Sequence, residues 1–279
     1  MSAGRLTLCA TPIGNLDDLS ARAVKVLGDA GVIACEDTRR TRKLLSHLGI
    51  RAPELVVYND QTERRAASYL VRRVARGQSV VLVSDAGMPG LSDPGFRLVK
   101  ACAERNLTVE VVPGPNAAIS ALAVSGLPPG RFVFEGFLPR RAGERRRHIE
   151  DLTAEPRTLV FYESPHRVEA TLGDLSELLG DRPAALAREL TKMHEEVRRG
   201  TLGELLEGVR TDPPRGEIVL VVHGAIGDHS PPVAIEELAA RARELMATGV
   251  PRGDALKQVA HDAGVPKRTV FDALLERDG

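Results

Sequence analysis

Short apolar runs recur along the chain, and each is followed by a turn rich in glycine and proline and then by a segment with helical spacing. The run at 80–83 consists of valine and leucine alone, which is typical of a strand buried on both faces. Between the runs, apolar residues recur every three or four positions, which predicts helices. This alternation predicts an α/β fold. The predicted strands are 6–10, 31–35, 55–58, 80–84, 109–112, 131–135, 158–162, 184–187 and 218–223, and the predicted helices are 19–28, 38–48, 64–76, 95–105, 116–125, 145–152, 168–179 and 202–209.

Two changes of composition divide the predicted elements. The strand ending at 112 runs into a Pro-Gly-Pro turn, and Asn116 after it is placed to cap a helix of small residues. The short segment 224–232 is polar and contains proline, as linkers do. Only helical spacing follows that segment. The sequence therefore predicts α/β domains at 1–115 and 116–224, and a small helical module at 233–279.

Composition narrows the classes of protein. A chain of 279 residues with 43% hydrophobic residues can bury a sizeable core. Its 38 basic and 38 acidic residues balance, so nucleic-acid binding would have to come from local clusters of charge. The cysteines form no CxxC pair and the histidines have no metal-ligand spacing, so we predict neither a disulfide framework nor a metal site. The sequence starts with a strand rather than a leader, and no apolar run approaches the ~20 residues of a membrane span, so we predict a cytoplasmic protein.

Three of the predicted strands end in loops rich in glycine, proline and small polar residues, at 10–15, 84–95 and 112–118. Open α/β sheets bind ligands at the carboxyl ends of their strands, so we expect these loops to share a cleft. Asp85 and Asp93 could accept hydrogen bonds there from ribose hydroxyls or an ammonium group. An ordinary surface turn is the alternative for any single loop. No loop has the dinucleotide or phosphate-loop fingerprint, which disfavours a nicotinamide dehydrogenase or an ordinary nucleotide hydrolase.

Seven strings carry a more specific signal. They are ATPIGNLDD, CEDTRRT, SDAGMPGLSDPG, VPGPNAAISALAVSGLP, FEGFLPR, FYESPHR and ARELTKMHEE. In this order they resemble the tetrapyrrole methylase superfamily, and more narrowly its ribosomal RNA branch, over residues 6–223. The resemblance implies two α/β domains with S-adenosylmethionine bound in the cleft between them, and it implies a homodimer.

The resemblance also places the cofactor contacts. Pro12 corresponds to the proline of the family's first glycine-rich turn, which lies under the cofactor, and Asp85 to the aspartate that hydrogen-bonds it. Relatives acting on tetrapyrroles often have methionine where Glu163 stands, so we expect a backbone contact there more than a side-chain contact. The residues matched to cofactor contacts are Pro12, Ser84, Asp85, Met88, Asn116, Ala117, Glu163 and Leu190.

The implied reaction is methylation of a ribose 2′-hydroxyl, on a cytidine in the decoding region of 16S ribosomal RNA in the small subunit. A secondary alcohol is a weak nucleophile until a base removes its proton, so the site should offer a carboxylate, lysine or histidine. We favour Lys192 and Glu195 as catalytic residues, although charged residues near helix ends often lie in solvent or form weak pairs. Glu36, Asp37 and Glu196 are alternatives, and positioning alone can carry much of a methyl transfer.

Two clusters of arginine are candidates for contacts with RNA phosphates. Residues 140–147 contain five arginines in eight positions, and 39–42 form a smaller cluster. A solvated helix start is the alternative explanation for the first cluster. Aromatic residues make up only 3% of the chain, which suits folded RNA in a ribosomal particle better than stacking on single strands. His166 and Arg167 could also face the RNA or the cofactor. The arginines predicted to bind RNA are Arg39, Arg40, Arg140, Arg141, Arg145, Arg146 and Arg147.

The tail at 255–274 resembles a helix-turn-helix, with Gly264 in the turn and Val265 and Val270 between helices. We predict auxiliary contacts with RNA or the subunit, with packing or dimer contact as the alternative. Rival functions for the whole chain are a methyltransferase of a tetrapyrrole precursor, a ligand-sensing DNA-binding regulator, and a scaffold that binds cofactor without turnover. The arginines of 140–147 and the strings FYESPHR and CEDTRRT weigh against the first, and the balanced charge against the second.

Overall fold

The computed structural model describes residues 4–225, 235–263 and 267–275. The chain separates into two compact units between Ala225 and Ile226. The larger unit contains two sheets, whose strands lie within 5–112 and 132–222. The predicted α/β class is confirmed, whereas the domain limits at 1–115, 116–224 and 233–279 stay a prediction.

The first sheet is parallel and is covered by helices on both faces. One face buries a cluster that includes Leu70 and Leu98, and the other buries a cluster that includes Leu27 and Leu45. Burial on both faces explains why the strand at 79–82 is continuously apolar after its first residue. Within residues 4–225 the strands are β1 (Arg5–Cys9), β2 (Val32–Cys35), β3 (Glu54–Val57), β4 (Ser79–Leu82) and β5 (Thr108–Val112), in the order β3-β2-β4-β1-β5, and the helices are α1 (Ala21–Gly28), α2 (Thr38–His47), α3 (Glu63–Ala75) and α4 (Phe96–Ala103).

The second sheet is mixed. Within residues 4–225 its strands are β6 (Phe132–Phe137), β7 (Thr158–Glu163), β8 (Pro183–Arg188), β9 (Glu196–Thr201) and β10 (Ile218–Val222), in the order β6-β7-β10-β8-β9, and its helices are α5 (Ala117–Ser125), α6 (Ala142–Glu150), α7 (Val168–Leu179) and α8 (Leu202–Thr211). Strands β6 and β7 are parallel, and the remaining pairs are antiparallel. Residues of α6, α7 and α8 form the core on one face, while α5 packs on the other face in a cluster that Ile13 joins. Ile13 therefore ties the first glycine-rich loop to the second sheet.

Each strand and helix expected from the sequence has a counterpart in the structure, but β9 was not expected. Its sequence, EVRRGT, has one strongly apolar residue, because the strand lies at the edge of the sheet and is only partly buried. Ion pairs of Glu196 with Arg188 and Arg198 lie along this edge, at 2.5 and 3.0 Å. Edge strands carrying charge lack the alternation that predicts a strand.

The C-terminal unit is a small helical cluster. Its helices in the described residues are α9 (Ile235–Ala247), α10 (Arg252–Asp262) and α11 (Lys267–Leu275). Leu238, Leu256 and Val270 are buried together in its core, as the sequence expected for Val270. Gly264, predicted to lie in the turn, and Val265, predicted to pack between helices, lie outside the described residues, as do residues 226–232 of the predicted linker.

Candidate active site

The three glycine-rich loops meet in one cleft, as the sequence analysis expected. Thr11 and Gly87 exchange two backbone hydrogen bonds of 2.9 and 3.1 Å, and the Thr11 hydroxyl donates to the Ser84 carbonyl at 3.2 Å. Gly87 has a φ of 82°, in the left-handed region that favours glycine. A Cβ added at Gly87 would lie 3.3 Å from Ile13 Cγ2 and 3.4 Å from the Pro115 carbonyl oxygen. The loops are therefore packed as one unit at the carboxyl edge of the first sheet.

The beginning of α2 is locked to the second loop. The Asp85 amide donates to Glu36 Oε1 at 3.0 Å, and the Asp37 amide donates to Asp85 Oδ1 at 3.2 Å. Arg40 Nη1 lies 3.4 Å from Asp85 Oδ2. The strings CEDTRRT and SDAGMPGLSDPG thus form a single network, and α2 orients the Asp85 carboxylate.

A cavity of about 320 Å³ opens beside this network, and we call it the acidic cavity because Glu36, Asp85 and Asp93 line it. Burial, followed by the negative charges of Glu36 and Asp85, raises the pKa of Asp93 to about 7. Burial also raises the pKa of Glu36. The predicted cofactor residues that line the acidic cavity are Asp85, Met88, Asn116, Ala117 and Glu163.

A second cavity of about 390 Å³ adjoins the first, and we call it the basic cavity because Arg40, Lys43, His47 and Lys192 line it. Of the predicted cofactor residues, Pro12, Ser84 and Asp85 line it. Leu190 lines neither cavity but is buried beside Ile13 in the apolar cluster under α5. Residues common to both cavities form what we call the shared wall: Ile13, Arg40, Asp85, Ala86 and Glu217.

Lys192, a predicted catalytic residue, is held as a cation in the basic cavity, next to Glu217 of the shared wall. Its Nζ lies 2.8 Å from Glu189 Oε1 and 3.3 Å from Glu217 Oε2. Burial opposes the positive charge, but the hydrogen bond to Glu189 and the charge of Glu217 outweigh it and raise the pKa of Lys192. An ammonium group has no free electron pair, so this geometry suits charge stabilisation rather than proton abstraction.

Glu195, the other predicted catalytic residue, lines neither cavity. Its Oε2 accepts a hydrogen bond of 2.6 Å from the Thr191 amide, and the Thr191 hydroxyl accepts one of 3.1 Å from the Asn15 amide. Thr191 has a φ of 66°, which is strained for a β-branched residue. A Cβ added at Gly14 would lie 2.4 Å from Lys192 Cγ, so this strained turn is pressed onto the first loop. Glu195 thus holds the turn that carries Lys192.

Glu163 is buried, and its carboxylate is occupied by protein groups. It accepts from the Thr171 hydroxyl at 2.6 Å and from the Ser164 amide at 2.8 Å, and Arg167 Nε lies 3.5 Å away. Arg167 also donates to the carbonyls of Leu138 and Pro139 at 2.8 and 3.0 Å. Arg167 therefore supports the loop before α6 rather than facing a ligand. The Glu163 carboxylate is already engaged by protein groups, and a backbone contact with the cofactor at this position stays a prediction.

Residues 5–206 match the family described as Tetrapyrrole (Corrin/Porphyrin) Methylases. The chain belongs to the tetrapyrrole methylase family. It is 44% identical over 274 residues, 98% of each chain, to a protein of Synechocystis sp. (strain ATCC 27184 / PCC 6803 / Kazusa). It is 46% identical over 279 residues, 99% of this chain and 96% of the other, to a protein of Mycobacterium tuberculosis (strain CDC 1551 / Oshkosh). Both relatives are named Ribosomal RNA small subunit methyltransferase I.

Solved structures of methylases share the fold. The methyltransferase CobJ superposes with a TM-score of 0.60 at 19% identity, over 80% of this chain and 95% of the other. Uroporphyrin-III C-methyl transferase from Thermus thermophilus, solved with S-adenyl homocysteine, superposes with a TM-score of 0.56 at 22% identity, over 80% and 99%. The resemblance found in the sequence is thus confirmed, together with the predicted cofactor, S-adenosylmethionine.

The acidic cavity of this methylase fits that cofactor. S-Adenosylmethionine carries a sulfonium and an ammonium group, and the carboxylates of Asp85 and Asp93 favour cations. Ile13, Met88 and Val219 supply apolar lining of the kind that accommodates a purine. Charge and polarity therefore agree with the predicted contacts.

The arginine cluster at 140–147 is split by the structure. Arg145 is 7% exposed and pairs with Asp174 on α7 at 2.7 Å. Arg146 pairs with Asp174 at 2.9 Å and with Glu177 at 2.6 Å. Phosphate contact does not fit the buried Arg145, and Arg146 is largely occupied. Of the arginines predicted to bind RNA, the exposed ones are Arg39, Arg40, Arg140, Arg141 and Arg147.

Several groups at the cleft were not selected from the sequence. On α2, Lys43 lies three residues after Arg40, and His47 lies four residues after Lys43. This helical spacing of basic residues can be read from the sequence. Tyr162 and Phe137 line the acidic cavity with ring centroids 5.4 Å apart; they lie in the strings FYESPHR and FEGFLPR but were not selected as site residues.

In the described residues, no three His, Cys, Asp or Glu side chains group as a metal site. No helix there is long and apolar enough to span a bilayer. Cys9, Cys35 and Cys102 are buried and free, and burial raises the pKa of Cys9 to about 11, which makes its thiol unreactive.

Proposed function

We propose that this chain transfers a methyl group from S-adenosylmethionine to the 2′-hydroxyl of a cytidine in the decoding region of 16S ribosomal RNA. The observation that carries the proposal is the pair of cavities of opposite charge that share one wall. A cationic cofactor suits the acidic cavity and a polyanion suits the basic one. The names of the near full-length relatives favour small-subunit ribosomal RNA as that polyanion. This substrate also favours the cytoplasm as the place of action.

The chain's own residues would bind and orient the two reactants. When bound, the cofactor supplies a methyl group on a positively charged sulfur. Asp85 would accept hydrogen bonds from the cofactor in the orientation that Asp37 and Arg40 impose. Orientation of this kind supplies much of the acceleration of a bimolecular transfer. The residues proposed to hold the cofactor are Asp85, Met88, Asn116, Ala117 and Glu163 in the acidic cavity, Pro12 and Ser84 next to the shared-wall residues Ile13 and Asp85, and Leu190 packed beside Ile13.

Lys192 and Glu195 are proposed to assist the reaction at the RNA hydroxyl that accepts the methyl group. The Lys192 ammonium in the basic cavity would stabilise the negative charge that develops on the ribose oxygen during methyl transfer, while the hydroxyl proton passes to solvent water. Glu195 would hold the strained Thr191 turn, and therefore Lys192, in place. The exposed arginines Arg39, Arg40, Arg140, Arg141 and Arg147 would contact RNA phosphates.

Transfer of label tests this function. Tritiated S-adenosylmethionine is incubated with small ribosomal subunits from a strain lacking the enzyme, and the labelled nucleoside is identified after digestion. We expect 2′-O-methylcytidine with the wild type, loss of label and of cofactor binding with Asp85→Ala, and loss of label at intact cofactor binding with Lys192→Ala. Cofactor binding without label in RNA would shift the function to another acceptor or to a cofactor-binding scaffold.

We also propose a homodimer. Helix α5 carries apolar and small residues on all sides, which is typical of a buried helix, yet Ile119 and Val124 are 50% and 40% exposed. A second copy that covers this face would bury them. Sedimentation equilibrium should give a dimer, and Ile119→Asp should give a monomer with unchanged circular dichroism.

The C-terminal helices are proposed to add contacts with the subunit. The exposed Arg268 on α11 offers a positive charge there. A chain ending at Ala225 should keep cofactor binding and bind assembled subunits more weakly. If the shortened chain binds and methylates subunits as the full chain does, the C-terminal helices make no contact with the subunit that matters for the reaction.

A further inference from the structure

The two adjoining cavities differ in the sign of the charge that they can accept. Glu36, Asp85 and Asp93 line the acidic cavity, where a phosphate group would meet several carboxylates at once. Lys43, His47 and Lys192 line the basic cavity, and its two carboxylates, Asp85 and Glu217, are paired with Arg40 and Lys192. Like charges brought into contact repel each other strongly in a recognition site. A piece of RNA is therefore excluded from the first cavity and admitted to the second.

One face of α2 contributes the basic residues Arg40, Lys43 and His47 to the lining of the basic cavity. Arg40, Lys43, Leu44 and His47 are spaced by three and four residues, so they lie along one side of the helix. Arg40 pairs with Asp85, and Lys192 pairs with Glu189 and Glu217.

Lys43 and His47, in contrast, are exposed, and neither side chain makes an ion pair or a hydrogen bond within residues 4–225, 235–263 and 267–275. Their capacity to donate hydrogen bonds is thus left for a ligand.

The cavity has the dimensions and the lining of a nucleotide site. Its volume of about 390 Å³ lies in the range of small-molecule pockets, roughly 300–1,000 Å³. Leu16 and Leu44 give it apolar surface, beside the cations. Enzymes that do chemistry on a base draw that nucleotide out of its stack into a pocket, and this cavity could hold a nucleotide drawn out in the same way.

We propose that the basic cavity receives the acceptor nucleotide, with its phosphate at Lys43 and His47 and its ribose at the shared wall beside Asp85. The inference rests on the proposed function and adds the place of the substrate. It assigns Lys43 and His47 to phosphate binding, and it assigns Leu44 to the surface that the nucleotide covers.

Removal of one cation tests the phosphate contact. Binding of unmethylated small subunits, without cofactor, is measured at several salt concentrations for wild type, Lys43→Ala and Lys43→Glu. Lys25→Ala is the matched control, since Lys25 is an exposed lysine of α1 that lines neither cavity. We expect Lys43→Ala to weaken binding about fivefold and to reduce the slope of log affinity against log salt by about 0.7, and Lys43→Glu to weaken binding further. Equal effects at Lys25 and Lys43 would overturn the assignment.

Filling the cavity tests whether the nucleotide enters it. Leu44→Trp places a large ring in the basic cavity and leaves the cations of α2 in place. We expect methylation to fall at least a hundredfold, while the dissociation constants of subunit and cofactor stay within threefold of wild type and thermal unfolding is unchanged. If Leu44→Trp destabilises the fold, the Leu44→Phe variant is used in its place. A Leu44 variant that is folded, carries the larger side chain and keeps full methylation activity would show that the nucleotide does not enter the basic cavity.

The outcomes separate this inference from the proposed function. A wild type that binds cofactor and labels no RNA contradicts the function itself. A wild type that labels RNA, with Lys43→Ala, Lys43→Glu and the Leu44 variants all like wild type, contradicts only the placement of the nucleotide.

Discussion

Two basic segments of similar composition have different surroundings in this methylase. The segment 140–147 has the denser charge, with five arginines, but its central pair is bound by carboxylates of α7. The segment 39–43 at the start of α2 has fewer neighbouring carboxylates to neutralise it, and it lines the cleft. Density of charge along the chain therefore does not show which of the two segments lines the cleft.

The difference lies in contacts that are distant in sequence. Arg145 meets Asp174, 29 positions further along the chain, because α6 and α7 pack side by side. The sequence around residue 145 does not predict that Asp174 is the partner. A basic segment is thus a candidate for binding polyanions only when neighbouring elements leave its charges uncompensated.

The largest effect is expected where a charge is buried. Arg145→Ala leaves the Asp174 carboxylate buried with one arginine fewer, which should lower the free energy of unfolding by about 3 kcal/mol. Thermal denaturation measures this loss. Arg147→Ala is the control, because Arg147 is exposed and its alanine variant should stay within about 0.5 kcal/mol of wild type. Equal stability of the two variants would mean that the two arginines are equally solvated.

The carboxylates beside the two segments should also titrate differently. Hydrogen bonds and the charge of Arg146 lower the pKa of Glu177, whereas burial beside Glu36 and Asp85 raises the pKa of Asp93 to about 7. Between about pH 4 and 7 native Asp93 keeps a proton that the unfolded chain has lost, so its contribution to stability falls as pH rises through this window.

Asp93→Asn should remove this pH dependence. Because Asp93 is partly exposed, we expect the variant to be more stable than wild type by about 2 kcal/mol at pH 8 and equal to it at pH 4. Chemical denaturation at both pH values measures the difference. Cofactor affinity should rise with pH in wild type but not in Asp93→Asn, since ionised Asp93 attracts a cation. A constant difference in stability at both pH values would place the pKa of Asp93 in the ordinary range.

Arg40 joins the two cavities, and its loss should affect activity more than stability. The side chain is 69% exposed, and surface ion pairs contribute about 0–1 kcal/mol to stability. We expect Arg40→Ala to lower kcat/KM for small subunits about tenfold, about 1.4 kcal/mol, with a melting temperature near that of wild type. Steady-state kinetics with Arg40→Lys as a control separates charge from geometry. A large loss of stability with normal kinetics would make Arg40 a structural residue like Arg145.

The fold followed from the sequence more fully than the site did. Continuous apolar runs and helical spacing are local consequences of burial, and they predicted β4 and α2 well. Strand β9 was not predicted, because an edge strand with paired charges has neither a continuous apolar run nor regular alternation.

At the site, motif strings located many of the residues that line the two cavities, since loops at strand ends bring distant segments together, but Lys43, His47 and Glu217 lie outside those strings. The protonation of Lys192 and the strained turn held by Glu195 could not be predicted, because they depend on Glu217 and Asn15 from other segments.

The smallest effect is expected at the exposed ends of the two segments. Arg39 pairs with Asp37 at 2.7 Å and Arg141 with Glu144 at 3.2 Å, and both guanidinium groups are more than four-fifths exposed. Each alanine variant should weaken subunit binding by less than about 1 kcal/mol and reduce the salt slope by about 0.7 if the arginine contacts a phosphate. Binding isotherms over a salt series give both quantities. A reduced slope for Arg39→Ala alone would confine the RNA to the α2 side of the cleft, whereas reduced slopes for both variants would extend the RNA path to the loop before α6. No change in either slope would remove both arginines from the RNA interface.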